Sequence, residues 1–192
     1  MNFVYFDVET ERAADEVGGW RNIEQLGLAV AVTLSSQNNQ YRVYRKHEAD
    51  ALVAELQAAD RVVGFNMRDF DLRVVQSYVD FDLLQLPYLD LILDIKAAAG
   101  YRVSLNNCCA ATLGEAKSSE GLQSIIWWRE GRHEEVIAYC KQDVLLTRRL
   151  HEFGANNGFI KCLDRKGRMK TLSVDWNLTG APAIPQQGSL FG

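Results

Sequence analysis

Three β-forming segments fill most of the first 45 residues and determine how the fold begins. Residues 2–9 alternate in polarity and residues 26–35 are almost entirely apolar, so both are predicted strands. The turn at residues 37–40 contains Asn-Asn, which tolerates a positive φ, and residues 41–45 are again β-forming. The second and third segments therefore predict an antiparallel hairpin beside the first strand.

Helix-forming and strand-forming segments alternate in the rest of the chain. Apolar residues in the segment 49–59 recur every three to four positions, which is typical of an amphipathic helix. The other predicted helices are 68–79, 105–113 with Ser104 as its N-cap, and 132–156, and the other predicted strands are 61–65, 88–93, 159–163 and 170–174. This order predicts an α/β fold, a mixed sheet of three antiparallel strands and then parallel strands, flanked by helices.

The composition is that of one globular domain with a short tail. Of the 192 residues, 47% are hydrophobic and 24% are charged, which excludes a disordered protein. No apolar run reaches the roughly 18–20 residues that a membrane span needs, so a membrane is not an expected partner. We expect the domain to cover residues 1–178 and a flexible tail to cover residues 179–192, where Pro182 and Pro185 disfavour regular structure.

The cysteines and histidines do not predict a metal-binding, redox or catalytic site. The four cysteines include no Cys-x-x-Cys pair, which argues against a zinc site or a redox pair. No basic residue precedes the first apolar residues, so a signal peptide is not predicted and a cytoplasmic location is expected. The three histidines, which we expect at the surface without a catalytic role, are His47, His133 and His151.

Two acids mark the first predicted strand. Asp7 and Glu9 are two positions apart and therefore project from one face, which they share with Phe3 and Tyr5. On a covered face of low dielectric constant, two carboxylates repel each other and lose solvation. The alternative is that both acids lie at the solvated end of the strand.

Two later segments carry acids that suit the same kind of site. Asp69 and Asp71 follow the predicted strand 61–65, where either could simply be an acid favoured at the start of a helix. Tyr139 and Asp143 are four positions apart on the longest predicted helix and share one of its faces. The alternative partners of Asp143 on an amphipathic helix are Arg132, Arg148 and Arg149.

Together the segments resemble, in order and rough spacing, the three exonuclease motifs of the DEDD superfamily. The matching residues are Asp7-Val8-Glu9-Thr10, then Asn66 with Phe70-Asp71, then Tyr139 with Asp143. A tyrosine four positions before the last aspartate is typical of the Tyr subgroup, whereas the histidine of the other subgroup would fall at Ala138. The stretch 113–143 also resembles a bacterial branch related to the exonuclease domain of family B DNA polymerases.

This resemblance implies an RNase H-like fold and a 3′–5′ exonuclease that uses two divalent cations, Mg²⁺ or Mn²⁺. Asp7, Glu9 and Asp143 would hold the cation that activates water, and Asp7 would bridge to the second cation with help from Asp71. Asp71 is expected rather than Asp69 because it follows Phe70. Tyr139 would orient the attacking water, because a phenol with a pKa near 10 positions water better than it deprotonates it.

The terminal nucleotide could contact Thr10, Asn66 and Phe70, and Lys117 could reach a phosphate. A core position for Phe70 and a solvated loop for Lys117 are the alternatives. The expected partner is the 3′ end of a nucleic acid, with DNA favoured. The same motifs also occur in exoribonucleases, and a non-catalytic nucleic-acid-binding adaptor is a third possibility.

The tail carries one further resemblance. Gln187-Gly188-Ser189-Leu190-Phe191 is similar to the Gln-x-x-Leu-Phe peptide by which bacterial replication and repair proteins bind the sliding clamp. Such a peptide places Leu190 and Phe191 in an apolar pocket while Gln187 sets the register. The sequence therefore predicts a clamp-binding peptide in the tail.

Overall fold

A five-stranded mixed sheet forms the centre of the structure, a computed structural model that describes residues 1–115 and 122–177. Its strands are β1 (Phe3–Thr10), β2 (Leu28–Ser35), β3 (Tyr41–Tyr44), β4 (Arg61–Gly64) and β5 (Tyr88–Asp90), in the spatial order β3-β2-β1-β4-β5. β2 pairs antiparallel with both β1 and β3, whereas β4 pairs parallel with β1 and β5 pairs parallel with β4. The predicted α/β fold with a mixed sheet is therefore confirmed.

Six α-helices flank this sheet in the described part of the chain. They are α1 (Ala49–Gln57), α2 (Asp71–Gln76), α3 (Leu91–Ala99), α4 (Leu105–Leu113), α5 (Leu122–Arg129) and α6 (His133–Asn157). A separate antiparallel hairpin follows, formed by β6 (Phe159–Leu163) and β7 (Met169–Ser173). Within residues 1–115 and 122–177, no helix combines the length and apolarity that a membrane crossing requires.

Alternate side chains of β1 enter different halves of the core. Phe3 and Tyr5 belong to an apolar cluster that includes residues of α6, whereas Phe6 belongs to a second cluster with residues of α1 and α2. Burial of each large apolar side chain stabilises the fold by roughly 1.5–3 kcal/mol, so both faces of the sheet must stay covered. Asp7 and Glu9 continue the series of Phe3 and Tyr5 and therefore lie on the α6 side.

Asp90 explains two differences from the predicted elements. The predicted strand 88–93 ends at Asp90, because the Asp90 carboxylate accepts a hydrogen bond from Ile92 N (3.4 Å) and caps α3. The same carboxylate accepts from Asn66 N (2.7 Å) and Arg68 N (2.9 Å). These bonds, together with a φ of 69° at Asn66, hold the following residues in a turn, so the predicted helix 68–79 is reduced to α2.

The expectation that all three histidines lie at the surface is wrong for His151. Its side chain is 0% exposed, and its Nδ1 lies 3.0 Å from the Tyr5 hydroxyl. Burial lowers the pKa of His151 from 6.5 to about 4, and the positive charge of Arg61 acts in the same direction. His151 is therefore a neutral core residue of α6, and His47 is exposed as expected.

Acid should destabilise the protein through His151. Between pH 6.5 and pH 4 the unfolded chain binds a proton at this residue that the folded chain does not, so the free energy of unfolding falls as the pH falls. The loss on reaching pH 4 is about 3 kcal/mol. Urea denaturation at neutral and acid pH should show a smaller loss for His151→Gln than for the wild type and the exposed control His47→Gln. Equal losses in all three proteins would contradict the assignment.

Candidate active site

Asp7 and Glu9 occupy the half of β1 that extends beyond its pairing with β4. Cys140 of α6 places its Sγ 3.3 Å from Asp7 Oδ2, and Glu9 Oε2 accepts a hydrogen bond of 2.5 Å from the hydroxyl of Ser124 in α5. Glu9 is only 9% exposed, so the alternative of a fully solvated strand end does not apply to it. The two acids lie on the covered face that the sequence predicted.

An irregularity in the sheet begins immediately after these acids. Glu9 pairs with Val30 of β2, but Thr10 pairs with Leu28, so the register shifts by one residue between Glu9 and Thr10. A β-bulge of this kind bends and twists the strand locally. The shift gives the end of β1 a direction different from that of a regular strand, beside the carboxylates.

Asp71 is attached to the backbone between the two β1 acids. It is 3% exposed, and its Oδ1 accepts a hydrogen bond of 2.9 Å from Val8 N. Burial raises the pKa of Asp71 to about 8, against the lowering effect of the Val8 bond, and the charges of Asp90 and Glu9 raise it further. The ionised form of Asp71 is therefore unfavourable here unless a positive charge compensates it.

Asp69, the alternative to Asp71, is an exposed residue paired at the surface. Its side chain is 59% exposed, and its Oδ1 forms an ion pair of 2.9 Å with Nε of Arg68. A surface pair of this kind contributes roughly 0–1 kcal/mol. The placement of the two side chains favours Asp71 as the site residue.

Tyr139 and Asp143 project from α6 towards β1. Both are buried, at 4% and 6% exposure, and the Tyr139 ring meets Trp127 edge to face at 6.2 Å between centroids. The arginines considered as partners of Asp143 form ion pairs with glutamates: Arg132 with Glu130 and Glu135, Arg148 with Glu152, and Arg149 with Glu115. The face of α6 that carries Tyr139 and Asp143 is therefore buried in the interior of the protein.

The pKa of the Cys140 thiol shows that negative charge is concentrated at this site. The thiol pKa is raised well above 9.0 by burial, by the charges of Asp7, Glu9 and Asp143, and by its hydrogen bond to Asp7. The protonated thiol can therefore donate to Asp7 instead of competing as a thiolate. Three acids from the first and third segments act on one buried sulfur atom, so α6 and β1 bring their carboxylates into one neighbourhood.

A cleft of about 770 Å³ opens over these residues. Its walls include Asp7, Glu9, Tyr139 and Asp143, while Asp71 is buried, bonded to Val8 N, and is not part of the cleft wall. The cleft lies where the parallel strands β1 and β4 end, and ligands commonly bind at this end of parallel strands in α/β sheets. The three segments picked out in the sequence therefore meet at one accessible place.

Three of the four predicted substrate residues line this cleft. Thr10 donates from its hydroxyl to Arg12 O at 3.0 Å, and Asn66 Oδ1 accepts from the guanidinium of Arg102 at 3.0 Å. Phe70 is half-buried, packs against the second apolar cluster and meets Trp20 edge to face at 6.2 Å. The fourth, Lys117, lies outside the described residues.

Several residues of the site escaped prediction. Cys140 could have been found, because it lies three positions before Asp143 and so shares its helix face. Asp90 could have been noticed as an acid at the end of a strand. Ser124 and Trp20 gave no signal, since α5 and the 3₁₀ segment Trp20–Gln25 were not predicted.

The donor atoms define what the site could bind. Three donor atoms lie within 4.8 Å of one another: one carboxylate oxygen of Asp7, one of Glu9, and the Sγ of Cys140. Asp71 and Asp143 add further carboxylates nearby. Carboxylate oxygens are the ligands preferred by hard cations such as Mg²⁺ and Mn²⁺. Buried acids that repel each other fit a bound cation, because its charge would offset the repulsion.

Comparison with known families agrees with this geometry. Residues 4–153 match a family model described as the RNase H superfamily. The chain belongs to the RNase H superfamily. Nucleases of this superfamily use divalent metals, as the acidic site suggests. A search of curated protein sequences found no match.

Among fifty matching chains of solved structures is the family B DNA polymerase of the hyperthermophilic archaeon Pyrobaculum calidifontis. The similarity has a TM-score of 0.59 at 16% sequence identity and covers 80% of this chain. It spans only 24% of the polymerase chain. At this level of identity the likeness concerns the fold, a nuclease-type fold similar to part of a polymerase.

Proposed function

We propose that this protein is a two-metal-ion 3′–5′ exonuclease that hydrolyses phosphodiester bonds at nucleic acid 3′ ends and releases nucleoside 5′-monophosphates. The observation that carries the proposal is the convergence of Asp7, Glu9, Tyr139 and Asp143 on one cleft, with Asp71 bonded to the backbone between the first two. Membership of the RNase H superfamily and the polymerase-like fold support it. We further propose that the chain belongs to the Tyr subgroup and to the bacterial branch named above.

In this proposal Asp7, Glu9, Asp71 and Asp143 hold Mg²⁺ or Mn²⁺. Two such cations, when bound, activate the attacking water and stabilise the leaving oxygen. The chain contributes rigid placement: β1 carries Asp7 and Glu9, the Val8 bond fixes Asp71, and α6 carries Asp143. Such placement before the reaction reduces the reorganisation that the transition state requires.

The remaining cleft residues would act on the substrate. Tyr139 would hold the attacking water through its hydroxyl, and Thr10, Asn66 and Phe70 line the same cleft, where a terminal nucleotide would bind. Lys117 remains a proposed phosphate contact from the sequence. None of these contacts identifies the sugar, so the preference for DNA, in a repair or proofreading role, rests on the resemblance alone. A cytoplasmic location likewise remains a prediction from the sequence.

Replacing Tyr139 with phenylalanine tests the water-positioning role. The substitution removes one hydroxyl and keeps the ring that packs on Trp127, so the fold should be unchanged. We expect turnover to fall roughly 10–1000-fold with little change in substrate binding, measured as kcat and KM on a short oligonucleotide. Tyr41→Phe on β3 is a matched control that should be silent. A nearly silent Tyr139→Phe would reduce Tyr139 to a packing residue.

Digestion of single-stranded DNA, duplex DNA and RNA in parallel tests the function itself. With Mg²⁺ or Mn²⁺, substrates labelled at the 5′ end should shorten stepwise, and substrates labelled at the 3′ end should release labelled mononucleotide at once. Faster loss of RNA would favour the exoribonuclease alternative. Binding without any shortening would favour the non-catalytic adaptor, although an adaptor has no need of the electrostatic cost of the clustered acids.

We also propose that the tail, residues 179–192, docks the enzyme on a bacterial sliding clamp and is separate from the domain of residues 1–178. Gln187, Leu190 and Phe191 lie outside the described residues, so the proposal rests on their spacing in the sequence. Docking would raise the local concentration of enzyme at a primer end without changing its active site.

Leu190→Ala combined with Phe191→Ala should eliminate clamp binding and leave the hydrolysis of short oligonucleotides unchanged. The apolar side chains supply the contact with the clamp pocket, whereas the cleft does not depend on them. Calorimetry with a purified bacterial clamp measures the first effect and a turnover assay the second. A wild-type protein without measurable clamp affinity at high micromolar concentration would refute the proposal, as would loss of oligonucleotide activity in the double variant.

A further inference from the structure

The turn between β6 and β7 concentrates positive charge in an acidic chain. Residues 164–170, here called the basic turn, contain four cations and one acid, whereas the chain has a net charge of −4. The four cations, all exposed, are Arg165, Lys166, Arg168 and Lys170. The hairpin also lies beyond residue 153, where the match to the RNase H superfamily ends.

One of these cations, Arg168, stabilises the turn itself through its bonds with Asp164. The Asp164 carboxylate accepts hydrogen bonds from Lys166 N (2.8 Å), Arg168 N (2.9 Å) and Arg168 Nε (2.8 Å), and Gly167 has a φ of 74°. These bonds lower the pKa of Asp164 to about 2, so its charge is retained and is offset by Arg168. Across residues 1–115 and 122–177, Arg165, Lys166 and Lys170 form no ion pair and remain available.

The hairpin holds this charge at a fixed place. Asn107 of α4 forms two hydrogen bonds with the backbone of Leu163, at 2.7 and 3.0 Å, and Thr112 forms two with Lys161, both at 2.9 Å. Ile160, Cys162 and Leu172 anchor the hairpin in the core. A charged turn on such a base can contact a ligand without the entropy loss of ordering a loose segment.

The loop between α3 and α4 lies between the basic turn and the cleft and contacts both. Tyr101 lies under the Arg165 guanidinium and the Lys170 ammonium group, at 5.3 and 5.5 Å from its ring centroid. These residues line a depression of about 300 Å³. The next residue, Arg102, lines the catalytic cleft and donates to Asn66. Positive charge therefore continues from the cleft to the basic turn.

We infer that the basic turn binds the sugar–phosphate backbone of the nucleic acid whose 3′ end occupies the cleft, an inference that rests on the proposed function for the placement of that end. Phosphates spaced along a strand match several fixed cations, whereas a single bound anion would need only one. Arg165, Lys166 and Lys170 would each neutralise a phosphate and release condensed counterions. Substrate affinity would then depend on salt and on the length of the strand.

The test compares two double variants that remove equal charge. The first variant combines Arg165→Gln with Lys166→Gln, which removes two cations of the basic turn and keeps Asp164 and Arg168. The control variant combines Arg42→Gln with Arg73→Gln, which removes two exposed cations elsewhere. The probe is single-stranded DNA of about 20 nucleotides with a 5′ fluorophore, titrated by anisotropy in EDTA over roughly 50–300 mM salt. Thermal denaturation checks that each variant is folded, and Lys170→Gln provides an independent variant on β7.

For the basic-turn variant, we expect Kd at about 100 mM salt to rise roughly tenfold and the slope of log Kd against log salt to fall by about 1.4. The control should change less than about twofold on the same scale. Hydrolysis of a dinucleotide should be unaffected, because a dinucleotide is too short to extend from the cleft to the basic turn. Equal loss in both variants, no loss in either, or no DNA binding by the wild type would overturn the inference. A specific loss of binding in a protein that cuts nothing would uphold it and refute the exonuclease.

Discussion

Asp7→Asn should reduce nuclease activity at least about 1000-fold in a protein that remains folded. Asparagine keeps the size of the side chain and an oxygen that can accept from the Cys140 thiol, but it removes the charge that would hold the cations. Removing one of the mutually repelling acids should also leave the stability of the metal-free protein equal or higher. Turnover on 5′-labelled single-stranded DNA, together with thermal denaturation, measures both effects.

The matched comparison lies in the second segment. Asp69→Asn alters an exposed acid that is paired with Arg68 and should change turnover by less than about threefold. Asp71→Asn alters the buried carboxylate bonded to Val8 and should approach the defect of Asp7→Asn. The reverse order would overturn the assignment of Asp71, and near-normal turnover of Asp7→Asn would mean that the site lies elsewhere.

Removal of divalent cations should abolish activity, and Mg²⁺ or Mn²⁺ should restore it. The site consists mainly of carboxylates that cannot themselves supply the positive charge needed by a phosphodiester transition state. Chelation with EDTA before a single-turnover assay should lower the rate at least about 1000-fold. Full activity in EDTA would refute the two-metal mechanism whatever the outcome of the substitutions.

Binding of the cation can be followed without any reaction. A ligand that binds only the folded state raises its stability, by roughly 2.7 kcal/mol at one hundred times its Kd. Mn²⁺ should therefore raise the Tm of the wild type, and the increase should shrink or vanish in Asp7→Asn. An equal increase in both proteins would place the cation outside the cleft.

Local sequence patterns predicted the sheet because each strand segment carries its own signal. Residues 2–9, 26–35 and 41–45 match β1, β2 and β3 within two residues at each end. The helix α3 was missed because residues 91–93 are as apolar as a strand, and only the Asp90 cap reveals where the strand ends. That cap depends on a carboxylate that also binds the turn at Asn66, a contact between segments that no local pattern contains.

The acids of the candidate site could be proposed from the sequence, whereas their environment could not. An ordered set of motifs, which requires no knowledge of the fold, singled out Asp7, Glu9, Asp71 and Asp143. His151 was misplaced because its polarity was given more weight than its position, although helical spacing puts it on the same buried stripe of α6 as Thr147 and Gly154. Burial of a polar group is a tertiary property, which residue type alone does not determine.

The distance along the chain between the two halves of the site has a consequence for its assembly. The thiol of Cys140 meets Asp7 across 133 positions, so β1 and α6 can come together only after nearly the whole domain has been made. Contacts of such long range carry a large loop-closure entropy cost and are slow to form. A fragment left by proteolysis or by interrupted synthesis before α6 retains Asp7 and Glu9 but lacks Asp143. In the proposed enzyme, incomplete chains would therefore be harmless to the nucleic acids of the cell.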